Sequence, residues 1–286
     1  MANLKEIRNR ISSVSSTMQI TSAMKMVSAA KLKKAQDAIT AMRPYSDKLT
    51  ELLQSLSATL DADSGSKFAD QRTVNKVLLV PITSNRGLAG AFNSNIIKQV
   101  NTLTSTTYAN HEISYLVLGK KANDAFKKSN KVIANKSAVY DDLTFDNVAE
   151  IAELLMNKFL THEADKIVLV YNKFKNAATQ EVMSEQFLPI VPIASDVNVN
   201  LDYIFEPSKA EIVEQLIPKS LKTQLFKAIR DSFASEHGAR MTAMHKATDN
   251  ATELRDQLKL TYNKARQASI TNEILEIVGG AEALNN

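Results

Sequence analysis

From Leu4 to Met42 the chain repeats apolar and small residues at alternating steps of three and four: Leu4, Ile7, Ile11, Val14, Met18, Thr21, Lys25, Ser28, Leu32, Ala35, Ile39 and Met42. That spacing keeps one stripe of a helix facing a partner and predicts a coiled-coil strand rather than an ordinary surface helix. Asn3 with Glu6 three residues on offers a cap for its start. The same arithmetic near the other end picks out Met244, Ala247, Ala251, Leu254, Leu258, Thr261, Ala265, Ala268, Asn272 and Leu275. Two such helices at opposite ends of one chain bury their seams most economically on each other, antiparallel, with small residues allowing close approach. At about 1.5 Å per residue, a 40-residue helix spans about 60 Å and a 60-residue one about 90 Å, so the second is expected to overhang the first.

Inside the first helix the stretch "ITSAMKMVSAAKLKKAQ" breaks the usual division into a wet face and a dry one. The seam turns polar between Thr21 and Ser28, and Lys25 is the sole charge before Lys31. Methionine, alanine, serine and threonine are spread around all sides of the stretch, leaving no clean apolar stripe opposite a polar face. Glycine and proline, the main local breakers, are absent between Met1 and Arg43, and Gly238 stands alone between Lys219 and Val278. The punctuation gives long helix, compact middle, long helix, with Pro218 expected to close a short helix before the second long one.

The middle alternates in character. "KVLLVPIT" (76–83) and "ISYLVLG" (113–119) are short β-branched runs, each followed by a helical pattern, and "FDNVAEIAELLMNKFL" (145–160) is an amphipathic helix. "KIVLVYNKF" (166–174) and "QEVMSEQFLPI" (180–190) form a hairpin around "KNAAT". The fold class is therefore α/β plus coiled coil: an antiparallel two-helix coiled coil from the two termini, with a central Rossmann-like domain whose parallel sheet has an antiparallel edge. The boundaries are 1–58 for the first coiled-coil helix, 59–72 for a linker, 73–207 for the α/β domain and 208–286 for the second helix. Ser208 with Glu211 reads as a capping box.

Chemistry is sparse. "SNRGLAGAFNSN" (84–95) sits where phosphate loops sit, after a strand and before a helix, but its glycines are spaced G-x-x-G and match neither phosphate-loop pattern. A tight turn is the better reading, and a nucleotide enzyme at Gly87–Gly90 is the competing one. The four histidines show no metal-ligand spacing, and no cysteine is present to form disulfides, thiolate metal sites or a thiol nucleophile. No cofactor is expected. No apolar run is long enough to span a bilayer, and the opening residues lack a signal-peptide core, which points to a reducing, cytosolic setting. Nine Lys and Arg face three acids in residues 1–48, and ten face eight from 219 onward, so the middle is net acidic. An RNA-binding arm is the alternative for such ends, but residues 1–44 hold no aromatics on which bases could stack.

The opening "LKEIRNRISSVSSTMQITSAMKMVSAAKLKKAQ", the closing "YNKARQASITNEILEIVGGAEAL", the loop "NRGLAGAFN" and "YIFEPS" at 203–208 resemble the gamma subunits of F-type ATP synthases over the full chain. The resemblance implies a non-catalytic rotor stalk threading a ring of three alpha and three beta subunits, with an α/β foot resting with epsilon on the membrane c-ring. It implies a peripheral place on the cytoplasmic face of a bacterial plasma membrane and no nucleic-acid partner. Carried over residue by residue, Met24 and Lys25 lie near a beta loop, Arg266, Gln267 and Thr271 meet the beta catch loops, and Arg8 and Arg10, with Lys31, Lys33 and Lys34, face acidic segments of beta. Tyr203 and Glu206 fall to the foot contacts. Asn85 and Ala89 replace the acid and the cysteine usual in the family's D-R-G-L-C-G loop.

Overall fold

A computed structural model describes residues 4–57, 67–68, 70–129, 131–190 and 209–284. The start cap at Asn3, most of the linker 59–72, Ser208, Tyr203 and Glu206 lie outside the described residues. Five α-helices are described, α1 (Leu4–Ser57), α2 (Phe92–Ser105), α3 (Lys120–Phe126), α4 (Phe145–Leu160) and α5 (Lys209–Leu284), with strands β1 (Lys76–Pro81), β2 (Glu112–Val117), β3 (Val132–Asn135), β4 (Lys166–Phe174) and β5 (Gln180–Leu188). Contacts divide the chain into two compact units: Met1–Ser28 with Met241–Asn286, and Ala29–Arg240.

The second unit holds the sheet, in the order β3-β2-β1-β4-β5. β1 pairs in parallel with β2 and β4, β2 pairs in parallel with β3, and β5 runs antiparallel to β4 through Ile167–Leu188 and Phe174–Gln180. The mostly parallel sheet with one antiparallel edge is as the sequence predicts. β3 was not expected: four residues with alternating exposure carry too little apolar signal to stand out, and pairing with β2 defines the strand instead.

Both faces of the central strands are dry, which is why "VLLV" reads as a continuous apolar run. One face packs Leu78, Val80, Leu116 and Leu169 against α4 and against Leu221, Leu225 and Ile229 of α5. The other packs Val77, Leu79, Val117 and Val170 against Ile96 and Val100 of α2 and Ala122 and Phe126 of α3. α4 shows how sequence sets this locally. Thr144 caps it, its hydroxyl accepting from the Asn147 amide. Val148, Ile151, Ala152, Leu155, Met156 and Phe159 then fall on one buried face at three- and four-residue steps. Each large buried side chain there contributes about 2 kcal/mol.

Pro218 does not end a helix. It lies inside α5, as Pro44 lies inside α1. A proline in a helix interior costs about 3 kcal/mol. Ile217 and Leu221, buried on either side of Pro218, hold the helix together through that position and offset the lost hydrogen bond.

The first unit pairs the start of α1 with the far part of α5. Arg8 meets Tyr262, Met18 meets Thr252, Thr21 meets Thr248 and Lys25 meets His245, so partner numbers fall as the first rise. The pairing is antiparallel, as predicted. Every predicted seam position of α1 from Leu4 to Met42 is buried or half-buried. On α5 the prediction holds at Met244, Ala247, Ala251, Leu258 and Ala265 and shifts by one elsewhere: Arg255, Tyr262 and Ser269 are half-buried, while Leu254, Thr261 and Ala268 are exposed. Arginine and tyrosine can bury a stem or ring and still reach a polar partner, and Arg255 and Tyr262 do so on Met18 and Arg8. Asn272 and Leu275 are not seam residues at all, because α5 is exposed throughout from residue 271 to residue 281.

Candidate partner-binding surface

Two places in the chain could carry function: the outside of the helical pair, and the crevice at the carboxyl ends of the strands. On the pair, the predicted contact residues form two bands. Met24 and Lys25 are half-buried, with Lys25 Nζ 3.4 Å from His245 Nδ1. His245 in turn lies 3.4 Å from Asp249. Arg8 donates to the Tyr262 hydroxyl at 2.7 Å and sits over its ring at 5.7 Å, so it braces the partner helix, while Arg10 stands exposed. Arg266, Gln267 and Thr271 are exposed roughly one to two and a half turns beyond Tyr262, and the Thr271 hydroxyl donates back to the Gln267 carbonyl at 2.9 Å. Seventeen residues separate the Lys25–His245 rung from the Arg8–Tyr262 rung, about 25 Å along the helices. The predicted residues therefore do not converge on one site.

The polar lapse in the α1 seam lies on its buried side. Thr21 and Ser28 are buried and do not face outward, and Thr21 meets Thr248 of α5. Their hydroxyls are satisfied in place: Thr21 donates to the Met18 carbonyl and lies 2.8 Å from Thr248 Oγ1, and Ser28 donates to the Met24 carbonyl at 2.8 Å. What faces outward nearby is apolar, with Ile20, Met26 and Val27 each more than half exposed. Farther along α5, Ile270, Ile274, Leu275, Ile277 and Val278 are exposed as well. Such apolar exposure marks an interaction surface.

The crevice is filled from within. In an open α/β sheet, ligands bind at the carboxyl ends of strands where the order reverses, here between β1 and β4. Ser232 of α5 donates to the Ile82 carbonyl at 3.5 Å, Ser235 to the Asn172 carbonyl at 2.9 Å, and Asn172 Nδ2 to the Phe92 carbonyl at 3.1 Å. Gly238 brings α5 so close to the β4–β5 turn that a Cβ there would meet the Ala177 backbone at 3.2 Å. Arg240, 7% exposed, pairs with Glu236 at 2.7 Å and donates to the carbonyls of Arg86 and Gly87. The loop predicted as a tight turn is one, with Leu88 at φ 61° and Gly90 at φ 55°. Sequence reasoning missed Glu236 and Arg240, whose i,i+4 spacing on a helix is the one available signal.

Asn85 uses its amide in both directions. Nδ2 donates to the Ser137 carbonyl and Oδ1 accepts from the Lys120 amide, each at 3.0 Å. A carboxylate would keep the second bond and set two acceptors against each other at the first. Asn85→Asp should therefore cost about 1 kcal/mol, read as a lower denaturant midpoint with unchanged slope. Ala89 is buried with Phe92 and Ala239, so apolar packing fills the position of the family's cysteine.

His237 sits beside this pair, edge-on to Phe233 at 4.5 Å, with Arg240 Nη1 3.4 Å from its Nδ1. Arginine can only donate, so the ring is neutral with its proton on a buried, unpartnered Nε2. Burial, then the charges of Arg240 and Lys31, lower its pKa to about 4. Between the ordinary histidine value of about 6.5 and about 4, the unfolded chain binds a proton that the folded chain excludes. Stability should thus fall as pH drops through that window, by about 3 kcal/mol for this group. Burial raises Glu236 at the same time, against the pull of Arg240, and so opposes this trend. The slope difference between wild type and His237→Gln in unfolding curves from pH 7 to 4.5 isolates the histidine.

A family model described as ATP synthase matches residues 3–284. The ATP synthase gamma chain of Flavobacterium psychrophilum is 73% identical over 285 residues, covering 99% of each chain, and that of Christiangramia forsetii is 70% identical over 285 residues, covering 100% of each. A chain of the mitochondrial ATP synthase rotor of Euglena gracilis shares the fold, with a TM-score of 0.66 at 24% identity over 93% of this chain and 98% of that one. Two long terminal helices and a mixed α/β sheet are thus a fold that this chain shares with that rotor chain. The chain belongs to the ATP synthase gamma chain family.

Proposed function

We infer that the chain is the central rotor stalk of an F-type ATP synthase, carrying torque between a membrane c-ring and a ring of alpha and beta subunits while catalysing nothing itself. The observation that carries this reading is the form of the helical pair. α1 and α5 lock together through a seam of apolar residues interspersed with small and hydroxyl ones, and α5 then continues unpaired with Ile270, Ile274, Leu275, Ile277 and Val278 exposed. An unpaired apolar helix end is costly in water and suits an apolar collar.

A rotating shaft must be supported without being held. Breaking a buried ion pair costs about 3–5 kcal/mol, whereas dispersion contacts are individually weak and without direction. Ile20, Met26 and Val27 around Met24 and Lys25 supply that weakly sticking surface, and Arg266, Gln267 and Thr271 form the second band for beta. Arg10, Lys31, Lys33 and Lys34 are exposed cations fit to track acidic beta segments. The α/β domain, taken as 73–207 between coiled-coil helices 1–58 and 208–286, is the foot for epsilon and the c-ring, with Tyr203 and Glu206 among its contacts. No described helix is long and apolar enough to cross a membrane; the peripheral place on the cytoplasmic face is part of the rotor-stalk reading. In the crevice, α5 lies where a nucleotide would lie, which supports leaving catalysis to the beta subunits.

The test is omission. Membrane vesicles carrying the synthase assembled with this chain should take up ions on ATP addition. Assemblies lacking it should take up none, and the purified chain alone should release no phosphate from ATP. Useful turnover by the isolated chain would overturn the reading.

A further inference from the structure

On the α4–α5 side of the sheet domain, aromatic and cationic groups meet at an exposed corner that neither the crevice nor the helical pair involves. Phe145, the first residue of α4, is 39% exposed and meets Phe226 of α5 edge-on, with ring centroids 5.6 Å apart at 81°. Arg230, one turn farther along α5, lays its guanidinium over the Phe226 ring at 4.9 Å and donates Nη2 to the Leu143 carbonyl at 2.9 Å. Its Nε is shut away from water without a hydrogen-bond partner, and among the described residues no carboxylate pairs with it. Burial lowers its pKa from the ordinary arginine value.

A half-buried cation is normally compensated, because desolvating a charge without a counter-charge is expensive. Here the ring below and the carbonyl beside it orient the guanidinium. An exposed aromatic held against a preoriented arginine is the make-up of interface anchors, which concentrate binding energy in few residues. The missing counter-charge specifies the occupant: an acidic segment, with an apolar side chain beside its carboxylate to seat on Phe145. A charge-assisted bond to the outward guanidinium hydrogens would be stronger than a neutral one.

We propose that the Phe145–Phe226–Arg230 corner docks a carboxylate-bearing segment of a neighbouring ATP synthase subunit. The proposal rests on reading the chain as a synthase subunit. The test places benzoylphenylalanine at position 145 in the assembled synthase and irradiates it. The expected result is one adduct joining this chain to one other subunit, with a yield that falls at least fivefold in Arg230→Glu and partly in Arg230→Gln. Retained assembly and melting temperature in the glutamine variant separate docking from folding. No adduct, an adduct to a second copy of this chain, or a yield indifferent to both substitutions overturns the proposal. Failure of the wild-type chain to assemble at all would instead overturn the subunit reading.

Discussion

Arg240→Ala should lower the stability of the sheet domain by about 3–5 kcal/mol, because it leaves the Glu236 carboxylate buried without its partner. It also removes the donor from the Arg86 and Gly87 carbonyls, so the loop that carries Leu88 should loosen together with the fold. Two readouts check this: the denaturant midpoint, and the rate at which trypsin cuts after Arg86 in the native protein, which should rise at least tenfold. The double variant Glu236→Gln with Arg240→Met should recover much of the loss, since taking out both charges leaves nothing uncompensated. A single variant as stable as wild type would mean that α5 does not depend on this pair to hold the crevice closed.

Gly119→Ala should be as damaging for a different reason. Gly119 sits at φ 108°, in a region that side chains avoid, and an added Cβ would come within 2.2 Å of the Thr83 carbonyl oxygen. That oxygen is backbone and has nowhere to go. The Thr83 amide donates to the Leu118 carbonyl at 2.7 Å, and its hydroxyl accepts from the Ala122 amide at 2.9 Å, tying together the ends of β1 and β2 and the start of α3. Strain and overlap together should cost on the order of 4 kcal/mol, or a melting temperature lower by on the order of 10 °C. Gly87, where a Cβ would meet nothing closer than 3.9 Å, is the control: its alanine variant should melt close to wild type.

The helical pair was the most legible part of the sequence and the crevice the least. The α1 seam could be read residue by residue because its spacing is regular even where its residues turn polar, and burial follows spacing through Thr21, Lys25 and Ser28. On α5 the residue types misled. Leu254 looks like a seam residue and is exposed, whereas Arg255 and Tyr262 look solvated and pack inward. The nearly uncharged stretch at 20–36 shows no clean stripe in sequence, yet it has two faces in the structure: Thr21 and Ser28 buried, and Ile20, Met26 and Val27 exposed. Pro218 misled because local rules omit the burial of Ile217 and Leu221 around it. Glu236 and Arg240 could not be placed from sequence, since nothing local says that α5 lies across the ends of β1 and β4. Among the candidate site residues, types and bands came through the family resemblance, while the 25 Å between the bands came only with the register of the pair.

The role proposed for the chain is mechanical, and motion tests it most directly. With the alpha and beta ring fixed to a surface and a bead attached to the α/β domain of this chain through an exposed residue such as Lys128, ATP should drive the bead round in one direction, in discrete steps that stop when ATP is removed. A complex that hydrolyses ATP at full rate while the bead stays still would contradict the account.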